Sequence, residues 1–183
     1  MKVGENNEPF YSASKALRKA RRLGLLCPDD LMKLAVVRGL RYYDGLNQGA
    51  EWKKDDRFQI SANEFTNAEL AIALLSPDWP DDDGSAVQVR QRIASAVLSA
   101  ADVDPIDLAQ LASQEKCEPI LRWISTCGAE VEPENPFWRV LLEQLPVVEK
   151  PERAPHPTRF FEMTGLTRQG VGIRKRWLRL LVK

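Results

Sequence analysis

Helix-start signals recur along this chain, and they constrain its fold more than any other feature. The clearest lies in FTNAELAIALLSP, residues 65–77. The Thr66 hydroxyl can accept bonds from the first helical amides, and Glu69 can reach back to the Thr66 amide, the reciprocal arrangement of a capping box. Phe65 before the cap is placed to close a hydrophobic staple on Leu70. Leu70, Ala71, Leu74 and Leu75 then form an apolar stripe, and Ser76-Pro77 stops the helix. Burying two leucines contributes roughly 3–6 kcal/mol, against about 1 kcal/mol for the cap. Packing therefore holds this helix, and the cap fixes where it starts.

The same signals divide the rest of the chain. Ser12 or Ser14 can cap a helix containing ALRKARRLGLL and running through Leu25, its end weakened by Gly24. Pro28, with Asp29 and Asp30 at the positive end of the backbone dipole, opens a second helix that is expected to reach Tyr43 before Asp44-Gly45. Residues 45–64 have no sustained period and read as a surface loop, with a short strand at Arg57–Ile60. Residues 77–84, PDWPDDDG, form an acidic turn. A helix follows from Ser85 to Ala101, with Val89, Ile93, Ala96, Val97 and Ala100 on one side. Asp104-Pro105 starts the next, offering Ile106, Leu108, Ala109, Leu111 and Ala112 for packing. Glu118-Pro119 starts another, with Ile120, Leu121, Trp123 and Ile124. Asn135 caps PFWRVLLEQL, with Pro136 in its first turn and Pro146 at its end.

The expected fold is all-α or predominantly α, an irregular multi-helix bundle with room for one short β-hairpin or strand near 57–60. Its expected organisation is a helical domain over 1–146, made of an N-terminal helical pair on a 61–146 core. A proline-rich linker over 147–157 and a basic helical arm over 158–183 follow. Hydrophobic residues at 44% and charged residues at 28% match an ordinary folded protein. No run approaches about 18 apolar residues, which argues against transmembrane association. The first residues lack the apolar region of a secretory signal, so the cytoplasm is the default location. Cys27, Cys117 and Cys127 read as buried, reduced thiols.

Reactive constellations are hard to find. His156, the only histidine, lies between Pro155 and Pro157 and reads as a solvent-exposed linker residue. With scattered thiols it does not make up a zinc ligand set. The acids Asp81, Asp82 and Asp83 lack EF-hand spacing and read as a solubilising turn. They leave one minor enzyme reading, in which a divalent ion near them, aided by Glu69, assists phosphate chemistry. Neither a P-loop, a Rossmann glycine pattern nor a G-x-S-x-G elbow is present. The reading therefore assigns no cofactor, catalytic residue or metal ligand.

Charge supplies the functional expectation. Residues 1–60 carry 12 Lys/Arg and 8 Asp/Glu, residues 61–150 carry 6 and 16, and residues 151–183 carry 8 and 2. An acidic middle between basic ends suits two faces that meet different partners, or an internally compensated surface. In the last helix Lys175, Arg176, Arg179 and Lys183 share a side opposite Trp177, Leu178 and Leu181, while Arg174 interrupts the apolar side. The string TGLTRQGVGIRKRWLRL resembles the turn and second helix of bacterial helix-turn-helix regulators over about residues 160–180. That resemblance puts Gly165 in the turn, makes Arg168 and Gln169 base or phosphate contacts, and gives Arg174, Lys175, Arg176 and Arg179 to phosphate neutralisation.

The leading expectation is a non-enzymatic adaptor, regulator or assembly subunit that binds a protein partner or a second copy of itself. DNA-binding transcription regulation through the C-terminal segment is the competing reading. The candidate binding surface is Arg168, Gln169, Arg174, Lys175, Arg176, Arg179 and Lys183, and Trp79, Trp123, Trp138 and Trp177 are possible anchors that more often serve a core.

Overall fold

The computed structural model describes residues 13–39, 51–80, 84–100 and 102–151. Seven α-helices form among them: α1 (Lys15–Arg22), α2 (Pro28–Val37), α3 (Asn67–Leu75), α4 (Gly84–Ala100), α5 (Pro105–Gln114), α6 (Glu118–Val131) and α7 (Pro136–Gln144). The protein is an irregular all-α bundle, with no strand among the described residues.

Local chemistry sets most of these starts. At α3 the Thr66 hydroxyl accepts the Glu69 amide at 3.0 Å, and the Thr66 amide donates to Glu69 Oε2 at 2.8 Å, which completes the capping box. Asp104 caps α5 through bonds from the Ile106 and Asp107 amides, and Asn135 caps α7 through the Phe137 amide. Four helices, α2, α5, α6 and α7, carry proline in the first turn, where the missing N–H has no intrahelical partner to lose.

Two expectations are corrected. The second helix does not continue to Tyr43. It ends at Val37, because Gly39 takes φ 104° and its amide turns back to the Val36 carbonyl at 3.0 Å. A left-handed residue just past the end is the usual helix stop, and glycine adopts it without a Cβ clash. The proposed strand at 57–60 is a 3₁₀ turn at Asp56–Phe58 followed by irregular chain. Asp55 accepts the Arg57 amide at 2.9 Å, and the Phe58 and Gln59 amides bond three residues back, so the backbone closes on itself.

Helix α3 is central. It packs against α1, α2, α4 and α5, while α7 packs on α5 and α6. Every residue from Leu70 to Leu75 is buried, so the expected stripe extends to all sides of α3 over its last six residues. One cluster joins Leu17, Leu34, Phe58, Phe65, Leu74, Ile93, Leu108, Leu121 and Trp138. In α4 the expected Ile93, Ala96 and Val97 are buried, and so are Arg90, Gln91 and Arg92. In α5 Leu108, Ala109 and Ala112 are buried, whereas Ile106 is 46% exposed.

Candidate interaction surface

Three arginines, Arg38, Arg90 and Arg122, are committed to backbone carbonyls inside this fold. Arg90, buried on α4, donates to the Leu74 carbonyl at 3.1 Å and the Ser76 carbonyl at 3.5 Å, at the C-terminal end of α3. Arg122 on α6 donates to the Leu142 and Leu145 carbonyls at 3.1 and 2.9 Å, at the end of α7. These carbonyls lack intrahelical partners and sit at the negative ends of helix dipoles, so a guanidinium satisfies both demands. Arg38 bonds Asn67 Oδ1 and the carbonyls of Ile60, Ser61 and Phe65, fastening α2 to the loop before α3. Burial pulls its guanidinium below the ordinary value, and Glu69 opposes that shift. None of the three presents a free cation to a partner.

Carboxylates divide into two sets. The first is internal. Buried Glu115, just past the end of α5, accepts bonds from the Ser14 hydroxyl, the Lys15 amide at 3.0 Å and the Ala16 amide at 3.2 Å. Asp78 accepts the Ser14 amide at 3.1 Å. Together they cap α1 from across the bundle. Buried Glu132 receives the Trp138 indole N–H at 2.6 Å and the Asn135 amide group at 3.0 Å.

The second set lines an open groove of about 490 Å³ between the start of α3 and one face of α5. Glu69, Asp102, Asp104 and Asp107 contribute to its walls, Val103 and Leu111 supply apolar surface, and no Lys or Arg lines it among the described residues. Asp102 and Asp107 are exposed. Glu69 is already engaged: one oxygen holds the Thr66 amide, and the other pairs with Lys19 at 2.6 Å. The acidic turn that Glu69 was expected to assist, Asp81, Asp82 and Asp83, lies outside the described residues. No group of three or more potential metal-ligating side chains converges among the described residues.

On the other side of the Lys19–Glu69 pair lies the exposed face of α1. Lys15, Arg18 and Arg22 are exposed, and their side chains form no ion pair among the described residues. At helical spacing they fall within an arc of about 60° and span about 10 Å along the axis. Ala16, Leu17 and Ala20 face the core instead. A basic stripe therefore adjoins an acidic groove, joined at one ion pair.

A smaller cavity of about 230 Å³ lies at the other end of α3, among Leu74, Pro77, Val87, Cys117 and Ile120. Gln91 also lines it, but its buried Oε1 has no hydrogen-bond partner among the described residues. Burial also pushes the Cys117 thiol well above its ordinary range.

The candidate residues Arg168, Gln169, Arg174, Lys175, Arg176, Arg179 and Lys183 lie outside the described residues, as do Trp177 and His156. Of the other proposed anchors, Trp79 and Trp138 are buried and serve the core, Trp79 donating to the Ala73 carbonyl at 2.7 Å. Trp123 is half-buried beneath the Lys150 ammonium, 4.4 Å from the ring centre. Cys117 and Cys127 are buried, but Cys27 is exposed, because it stands at the turn into α2 and not on a core face. The basic stripe went unread in the sequence, although its signal was present as Lys15, Arg18 and Arg22 at i, i+3 and i+7. No helix among the described residues is long and apolar enough to cross a membrane. Comparison with protein-family models, with curated proteins and with solved structures gives no match.

Proposed function

We propose that this chain is a non-enzymatic protein-interaction module, an adaptor, regulator or assembly subunit whose acidic groove receives a basic protein segment. The groove carries the reading: four carboxylate-bearing residues line it with no cation among the described lining residues, and three of them, Asp102, Asp104 and Asp107, are exposed. Field lines from like charges in a concave surface focus outward and raise the local concentration of cationic partners. The apolar floor at Val103 and Leu111 suits the aliphatic stems of lysine and arginine, whose charged heads reach the carboxylates at the rim. The commitment of Arg38, Arg90 and Arg122 to backbone carbonyls supports the same sign of surface, since it withdraws cations that would otherwise neutralise it.

A fluorescence titration with a short Lys/Arg-rich peptide tests this reading. Binding is expected to weaken with salt and to fall about tenfold or more in D102K/D107K, which keeps the Asp104 cap. An unchanged affinity in that variant would overturn the reading. Duplex DNA titrated in parallel tests the competing proposal for Arg168, Gln169 and the cations of the C-terminal segment. Salt-dependent DNA binding that survives the groove changes would favour it.

A further inference from the structure

The basic stripe on α1 and the acidic groove lie side by side, and this adjacency carries more than either patch alone. Lys19 belongs to α1 and Glu69 to the groove, so their 2.6 Å pair marks the seam between the two surfaces. On one side stand three exposed cations, Lys15, Arg18 and Arg22. On the other stand three acids at the start of α5 and in the chain just before it, Asp102, Asp104 and Asp107. A surface with equal and opposite patches on either side of a seam is complementary to itself after a two-fold rotation. An isologous dimer requires that relation, since each copy offers its stripe to the groove of the other.

We infer that the partner for this surface is a second copy of this chain, in a two-fold dimer whose α1 stripes occupy the opposing acidic grooves. The inference rests on the groove being a docking site for basic protein surface and adds the identity of the occupant. Both patches lie on described residues, and α1 is held in place by Glu115 and Asp78, so the stripe is presented by a fixed element. A rigid cation-bearing helix loses less freedom on docking than an extended basic peptide does. Complementary charge selects orientation and accelerates encounter. The aliphatic stems of Lys15, Arg18 and Arg22 are long enough to cover Val103 and Leu111 while their heads meet the carboxylates.

Sedimentation velocity of the full chain tests the inference. The wild-type protein is expected to dimerise at about 20 mM salt and to shift toward monomer at about 300 mM, where the Debye length falls below about 10 Å. The stripe variant K15E/R18E/R22E and the groove variant D102K/D107K should each be monomeric, since each sets like charges face to face. An equimolar mixture of the two should form a heterodimer, because every stripe then meets a groove of opposite sign. The single changes R18E and D107K, mixed in the same way, cover a multiple variant that loses its far-ultraviolet helical signal. A wild-type monomer at both salts, a dimer indifferent to the changes, or a mixture that stays monomeric would overturn the dimer. If the wild type is monomeric but D102K/D107K still abolishes binding of the basic peptide, the docking reading stands and only the second copy falls.

Discussion

The indole of Trp138 lies across the backbone of α6 at Gly128. A Cβ at position 128 would sit 2.3 Å from Trp138 Cδ2 and 2.4 Å from Cε2, well inside van der Waals contact. Trp138 is fully buried, and its N–H reaches Glu132 one turn further along α6. The close approach of α7 to α6 depends on this missing side chain.

G128A is therefore expected to destabilise the fold by about 1–3 kcal/mol through overpacking, although alanine has the better helix propensity by about 1 kcal/mol. Urea unfolding checks the sign, and native tryptophan fluorescence should report the displaced ring. A stable G128A protein with unaltered fluorescence would mean that the α6–α7 packing relaxes easily.

E115A should release the start of α1. The variant leaves the Ser14 hydroxyl and two backbone amides without their acceptor in a buried setting, a loss of about 1–3 kcal/mol. Hydrogen exchange at Lys15 and Ala16 should accelerate more than exchange in α3. E115Q keeps an acceptor oxygen and should recover part of the protection.

R122A should loosen the end of α7, since the Leu142 and Leu145 carbonyls lose their shared donor. A destabilisation of about 1–2 kcal/mol is expected. R122K should restore less than half of it, because one ammonium on a flexible stem cannot reproduce the planar fork. Thermal melts of the three proteins compare these values directly.

Thiol labelling should separate the three cysteines. Cys27 is exposed, whereas Cys117 and Cys127 are buried. One thiol should react in the native protein and three after unfolding. Desolvation raises the Cys27 thiol above its ordinary value, so less thiolate is present at neutral pH than for an ordinary cysteine. Labelling should accelerate as pH rises through the alkaline range. Reaction of two or three thiols in the native state would show that α6 opens readily.

The sequence by itself determined the helical class and the positions at which most helices begin. Thr66 with Glu69, Asp104 before Pro105, and Asn135 before Pro136 each act within three residues, and a bond of that span is set by spacing alone. It also determined the sorting of charge into basic and acidic blocks. Asp44-Gly45 was the expected stop of the second helix, but Gly39 in the left-handed region ends it at Val37. At 57–60 a run suited to a strand has no partner strand among the described residues and closes as a turn around Asp55.

Only the tertiary structure decided which charged residues were consumed and which were left at the surface. Ser14 and Glu115 are 101 residues apart, and no local pattern pairs them. Arg38, Arg90 and Arg122 bond backbone carbonyls, which every residue carries, so their targets leave no mark in the sequence. The acidic groove and the basic stripe became neighbours because α1 and α5 pack on the same central helix. That adjacency follows from burying Leu17, Leu70, Leu74 and Leu108 together in one core, a non-directional driving force that acts on area and carries no record in residue order.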